Sequence, residues 1–245
     1  MSVPFRRGSV ALGRIKQGYG VLTIAGPQCH EGTSPAAASV TLGGVRRLPD
    51  ASPMRSFDPR LVGRLECQTW VTYYRHQWGA FLLAAVRVVH HAFGLPWPQT
   101  LLGAWWVLRA NQLWAPYPDN RPDAARRYMR RFYGLVARAH GESFDVPTAA
   151  RLEVGWWAAH RDNQHGPVDP TGEQALVLAL QKLYAHVYAV PATDVLIAAE
   201  ERARAMTVSD QWVRDGGDPA SPALAAERAA LVRSYAALLA AVHVA

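Results

Sequence analysis

Two stretches of this 245-residue chain carry the same chemistry-bearing residues at the same spacing. Arg64-Leu65-Glu66, Trp70, Tyr73 and Gln77 match Arg151-Leu152-Glu153, Trp157, His160 and Gln164 without a gap, and only Tyr73 against His160 is an exchange. On an α-helix, positions seven or eleven apart return to nearly one face. Glu66, Tyr73 and Gln77 therefore form one polar stripe, and Glu153, His160 and Gln164 form another. The tryptophan beside each stripe argues that it is turned inward, and a buried carboxylate needs a partner.

Two chemistries fit this pattern. The first is a hydrogen-bond network that fixes the register of two helices. The second is a metal site, because Glu66, Glu153 and His160 are ligand types suited to iron, manganese or zinc. That reading would make the chain an Fe- or Mn-dependent helical-bundle oxidoreductase. The two Glu-x-x-His pairs usual in such bundles are missing from the sequence.

The remaining candidates are weaker. Cys67 adjoins Glu66, whose charge raises a thiol pKa, so a nucleophile is not expected there. Asp119, Asn120 and Asp123 are poorly spaced for magnesium, and Pro122 interrupts them, so Asn120 reads better as a helix cap. His76 flanks the Glu66 stripe, His90-His91 reads as a surface pair, and His140 sits where a helix dipole favours a cation. The sequence has no GxSxG, Walker loop, GxGxxG or HExxH.

The elements that position these residues read as helices throughout. The expectation is an all-α fold, a single bundle of about seven helices. Asp58-Pro59 opens the first, which runs over 59–93 with a bend near Gly79. The others are expected over 98–114, 122–141, 147–166, 171–190 and 192–214, and from Ser221-Pro222 onward. The last carries an apolar stripe of Leu224, Leu231, Val232, Tyr235, Leu238, Leu239 and Val242.

A second, looser match pairs Trp114, Asp119, Pro122, Ala124-Ala125, Arg131 and Tyr133 with Trp212, Asp218, Pro222, Ala225-Ala226, Arg233 and Tyr235. Both matches run in the same order. Two related halves, about 58–141 and 147–245, would then close one core about a pseudo-two-fold axis.

Composition separates the leading segment from the rest. Residues 1–57 hold no tryptophan, while all nine lie from Trp70 onward. The segment reads as flexible and basic, with Met54 as an alternative start. Residues 1–60 carry eight basic against three acidic side chains, so most of the formal charge of +7 lies there. No clustered basic face is apparent in the remainder, and nucleic acid is not expected as a partner.

No apolar run reaches the length of a membrane span; the nearest, 78–93, is broken by Arg87, His90 and His91. Cys29 and Cys67 show no metal spacing and suggest a reducing cytoplasm. Three functions follow in order. The first is a binding or interaction protein with an aromatic-rich core or a pocket for an apolar small molecule, to which Trp105, Trp106, Trp156 and Trp157 point, though core packing explains them as well. The second is the metal-dependent oxidoreductase. The third is a peripheral membrane protein using 78–93 as an amphipathic face.

Overall fold

Proline and glycine set most helix ends. The computed structural model describes residues 52–165 and 170–243, all within the unit Arg46–Ala245. The expectations for residues 1–51, Gly166 and the Thr171 side chain lie outside the described residues. The helices are α1 (Pro59–Tyr74), α2 (Trp78–Phe93), α3 (Trp97–Trp114), α4 (Pro122–His140), α5 (Val146–His165), α6 (Pro170–Tyr188), α7 (Leu196–Arg214) and α8 (Ala223–His243). No strand occurs among the described residues, and the fold is all-α.

Asp58 caps α1 by accepting from the backbone N–H groups of Arg60 and Leu61 at 2.9 and 3.3 Å. Asn120 does not cap α4; Arg121 holds the cap position and makes no side-chain cap bond. The helix expected over 59–93 is two helices. His76 adopts a left-handed φ of 53° and breaks the chain between α1 and α2. Neither glycine nor proline marks that break in the sequence, which is why the pattern reads as continuous.

Two later connectors are alike. Gly94 (φ 58°), Leu95 and Pro96 follow α2, and Ala189 (φ 52°), Val190 and Pro191 follow α6. In each, a left-handed residue is followed by a buried aliphatic side chain and a proline. A left-handed residue stops a helix by turning the chain away from its axis.

Each helix packs on the next, and α8 returns to pack on α1. The α1–α8 approach is close at Gly63, where a Cβ would stand 2.8 Å from the backbone nitrogen of Val232. Leu65, Leu176, Leu180, Met206, Trp212, Leu231 and Leu238 are fully buried, each stabilising the fold by roughly 1.5–3 kcal/mol through lost apolar exposure. In the expected α8 stripe, Leu231, Tyr235, Leu238 and Val242 are buried. The core also takes in Met54 and Phe57, ahead of the boundary read from the sequence.

Candidate functional site

Both repeated glutamates face inward, and a phenol meets each. Tyr235 of α8 donates to Oε2 of Glu66 on α1 at 2.6 Å. Tyr133 of α4 donates to Oε2 of Glu153 on α5, also at 2.6 Å. The two bonds join residues from opposite halves of the chain in the same way. Tyr133 and Tyr235 are also partners in the looser sequence match.

Arg202 of α7 sits at the centre of the first network. One terminal guanidinium nitrogen pairs with Glu66. The other donates to the hydroxyls of Tyr184 at 3.0 Å and Tyr235 at 3.4 Å. The rings of Trp156 and Trp70 lie 5.3 and 5.9 Å from its central carbon, a cation–π arrangement. Burial alone would lower the Arg202 pKa, but Glu66, Tyr184, Tyr235 and Glu153 hold it well above the ordinary value. Glu153 also accepts from the Trp157 indole at 3.2 Å. Burial raises its pKa, against the pull of Tyr133, Arg202 and Trp157.

The second network lies further along α5 and α7. Asp210 accepts from His160 at 3.0 Å and from Tyr74 at 3.3 Å, and pairs with Gln164. Gln164 also donates to the Tyr74 hydroxyl at 3.0 Å. Burial foremost, then the charge of Asp210, raises the Tyr74 pKa well above its ordinary value, so this phenol stays a donor. His160 and Asp210 have the pairing of an acid–base dyad.

The structure therefore separates the residues read from the sequence. Glu66 and Glu153 bind different phenols, and His160 and Gln164 belong with Asp210. Tyr73 packs in an aromatic cluster with Tyr74, Trp78 and Phe81. Gln77 is exposed at the start of α2, because α1 ends before it. Among the described residues, no three His, Cys, Asp or Glu side chains are grouped as metal ligands, so Glu66, Glu153 and His160 do not make a joint metal set.

Sequence reasoning missed Arg202 and Asp210. Both lie on α7, but about 80° apart around its axis, and no pattern in the sequence joins them; Arg202 stands in an acidic–basic run that reads as surface. Sequence reasoning also missed Glu227 of α8, which is fully buried. Neither carboxylate oxygen has a hydrogen-bond partner, nor does the buried Ser209 hydroxyl. Cys67 and Ser209 lie close to Glu227 without reaching bonding geometry. Burial, with the charge of Glu66, pushes the Glu227 pKa up to about 7. Burial, then Glu227, pushes the Cys67 thiol up to about 12, so this thiol is not a nucleophile near neutrality.

The four tryptophans expected in an aromatic-rich core or pocket divide between the interior and the surface. Trp156 and Trp157 are buried within the core, while Trp105 is exposed on α3. The outer face of α3 carries Trp97, Leu101, Leu102 and Trp105 at 57, 55, 44 and 48% exposure. Trp97, Leu101, Trp105 and Arg109 recur every four residues, which places them along one stripe. His90 stacks on Trp97 at 4.2 Å, and the Arg109 guanidinium lies 6.0 Å from the Trp105 ring.

Charge along this stretch of the chain is one-sided. No acidic residue occurs between Glu66 and Asp119, and residues 67–141 hold nine arginines against Asp119 and Asp123. Asp123 pairs with Arg126 at 2.6 Å. The low net charge summed over the chain after residue 60 hides this clustering on α4. Comparison with models of known families, with curated proteins and with solved structures finds no match for the chain.

Proposed function

We propose that this is a binding protein that settles on an anionic lipid surface through the outer face of α3. The observation that carries the reading is the exposed stripe of Trp97, Leu101, Leu102 and Trp105 within a stretch of chain nearly free of acid. Large exposed apolar side chains in a contiguous set mark an interaction surface. Tryptophan favours the membrane–water interface, and nearby arginines add attraction to anionic headgroups. A lipid surface buries the leucines together with the tryptophans, whereas a phosphodiester strand would stack chiefly on the tryptophan rings, so lipid fits the surface better. The buried polar groups around Arg202 and Asp210 largely satisfy one another and serve the architecture.

This reading moves the membrane-facing element from 78–93 to α3. On α2, Leu83 is 70% exposed, but Phe81, Ala84, Ala85, Val89 and Ala92 are buried. No single helix among the described residues is long and apolar enough to cross a membrane.

Co-sedimentation with vesicles tests the proposal. The chain should bind phosphatidylcholine vesicles that contain phosphatidylserine, bind pure phosphatidylcholine far less, and lose affinity as salt rises. Trp97→Ser with Trp105→Ser should abolish binding while leaving the circular dichroism spectrum unchanged. Binding of single-stranded RNA with no vesicle binding would replace lipid by nucleic acid as the partner. Equal vesicle binding by the double variant would remove α3 from the account.

We also infer that the two halves are related copies. Support comes from the equal Tyr235–Glu66 and Tyr133–Glu153 bonds, the matching connectors after α2 and α6, and the cyclic packing in which α4 meets α5 as α8 meets α1. Arg202 stands outside the symmetry: its guanidinium pairs with Glu66, while its charge acts on Glu153 without a direct bond.

A further inference from the structure

We propose that acid strengthens the docking of α3 on an anionic lipid surface, and that His90 is the group that senses it. The inference deepens the lipid-surface reading and rests on it. His90 and Trp97 flank the turn between α2 and α3. Their rings stack at 4.2 Å with 14° between the planes. Trp97 is the first residue of the exposed stripe. His90 is half-buried, unlike the surface residue its sequence suggests. Leu83, Arg87 and His90 fall within about 60° of one another around α2, and the first two are exposed. The imidazole thus stands where the outer face of α2 meets the stripe of α3.

The hydrogen bonds decide which nitrogen can gain a proton. His90 Nδ1 lies 3.1 Å from the Leu95 carbonyl oxygen. A carbonyl oxygen only accepts, so Nδ1 carries the hydrogen of the neutral ring. The Thr100 hydroxyl donates to the same carbonyl at 2.8 Å, so it too meets Nδ1 as an acceptor. Nε2 is left to take the second proton. Histidine is the side chain that changes charge between pH 5 and 8. Once charged, the ring donates more strongly to Leu95 and places a cation on the face of Trp97. It also adds a positive charge beside the surface that meets anionic headgroups.

The charged groups around the ring leave that charge uncancelled. On α2, Arg87 and His91 adjoin it. Partial burial, then His90 and Arg87, lower the His91 pKa against the pull of Asp58 at the start of α1, so His91 takes its proton at lower pH than a free histidine. From α3 comes no acid; its one ionisable side chain is Arg109. In the turn Pro53–Arg55, which packs on α2, Arg55 is taken up by Glu142 and the Tyr188 carbonyl. Among the described residues, no carboxylate lies within ion-pair distance of His90.

Co-sedimentation of the full chain with phosphatidylglycerol vesicles at pH 5.5 and pH 8, at one ionic strength, tests the proposal. The phosphodiester headgroup keeps its charge across that range. Binding should be about fivefold tighter at pH 5.5, the gain expected of one added charge near the surface. His90→Gln should bind nearly equally at both values, at the level of the unaltered chain at pH 8. His90→Arg keeps a flat cation on Trp97 at every pH. It should bind at pH 8 as tightly as the unaltered chain does at pH 5.5. His91→Gln should keep most of the pH effect.

Equal binding of the unaltered chain at both pH values would overturn the proposal while leaving α3 as the lipid-binding face. A pH effect that persists in full in His90→Gln, or that disappears in His91→Gln alone, would overturn the assignment to His90. Absence of binding at either pH would overturn this proposal together with the lipid-surface reading.

Discussion

Replacing Glu227 with glutamine should make the protein more stable at pH 8 and leave it nearly unchanged at pH 5. Glu227 is fully buried, and both its oxygens are without a hydrogen-bond partner. Its pKa rises from 4.5 to about 7 in the fold, chiefly through burial. The folded state thus holds the proton more tightly than the unfolded chain. The contribution to stability is complete below about pH 4.5 and is lost as pH rises through 7. One pH unit corresponds to 1.36 kcal/mol, so the interval amounts to about 3 kcal/mol. Glutamine mimics the protonated acid in shape and cannot ionise. Its own buried amide lacks partners, which offsets part of the gain, so the net effect at pH 8 should be about 1–3 kcal/mol. Urea unfolding of both proteins at pH 5 and pH 8 measures it. Parallel pH dependences for the two proteins would refute the reasoning and place the Glu227 carboxylate in contact with water.

Arg202→Met should cost about 3–5 kcal/mol in urea unfolding, because Glu66 is left buried without its cation. Adding Glu66→Gln should recover part of that loss; no recovery would mean the two side chains are not coupled. Tyr133→Phe and Tyr235→Phe should each cost about 1–3 kcal/mol, with similar values, since each removes the donor to one oxygen of a buried glutamate. Clearly unequal losses would count against treating the two bonds as equivalent. Gly63→Ala should destabilise by about 1–3 kcal/mol, because its Cβ meets the backbone of α8. Gly134→Ala, which meets only a flexible side chain and one methyl, should be neutral or stabilising in the same assay.

Helices were legible wherever local chemistry ends them. Asp58-Pro59, Pro122, Gly141 and Pro191 mark boundaries that the structure keeps to within a few residues. The break at His76 has no such marker, and a residue driven to positive φ by its surroundings leaves no local trace. The inward glutamates were legible because their spacing and neighbouring tryptophans give the face of the helix. Their partners were not, since Arg202 lies in Glu200-Glu201-Arg202-Ala203-Arg204, a run that reads as a solvated surface. Only tertiary packing distinguishes Arg202, which is mostly buried, from Arg204, which is exposed. The same limit hid Glu227 among alanines and an arginine.

The α3 surface was missed for the opposite reason. A helix apolar on nearly every side predicts burial, and Trp105 reads as core until its neighbours are known. Net charge misled in a similar way, because a sum over the chain after residue 60 averages the arginines of residues 67–141 against the acids of residues 142–218.

Hydrogen–deuterium exchange of the full chain, with and without phosphatidylserine-containing vesicles, locates the contact directly. The account predicts slowed exchange in α3 and the adjoining part of α4, with α7 and α8 unaffected. Protection confined to other helices, or identical exchange in both samples at saturating lipid, would contradict it.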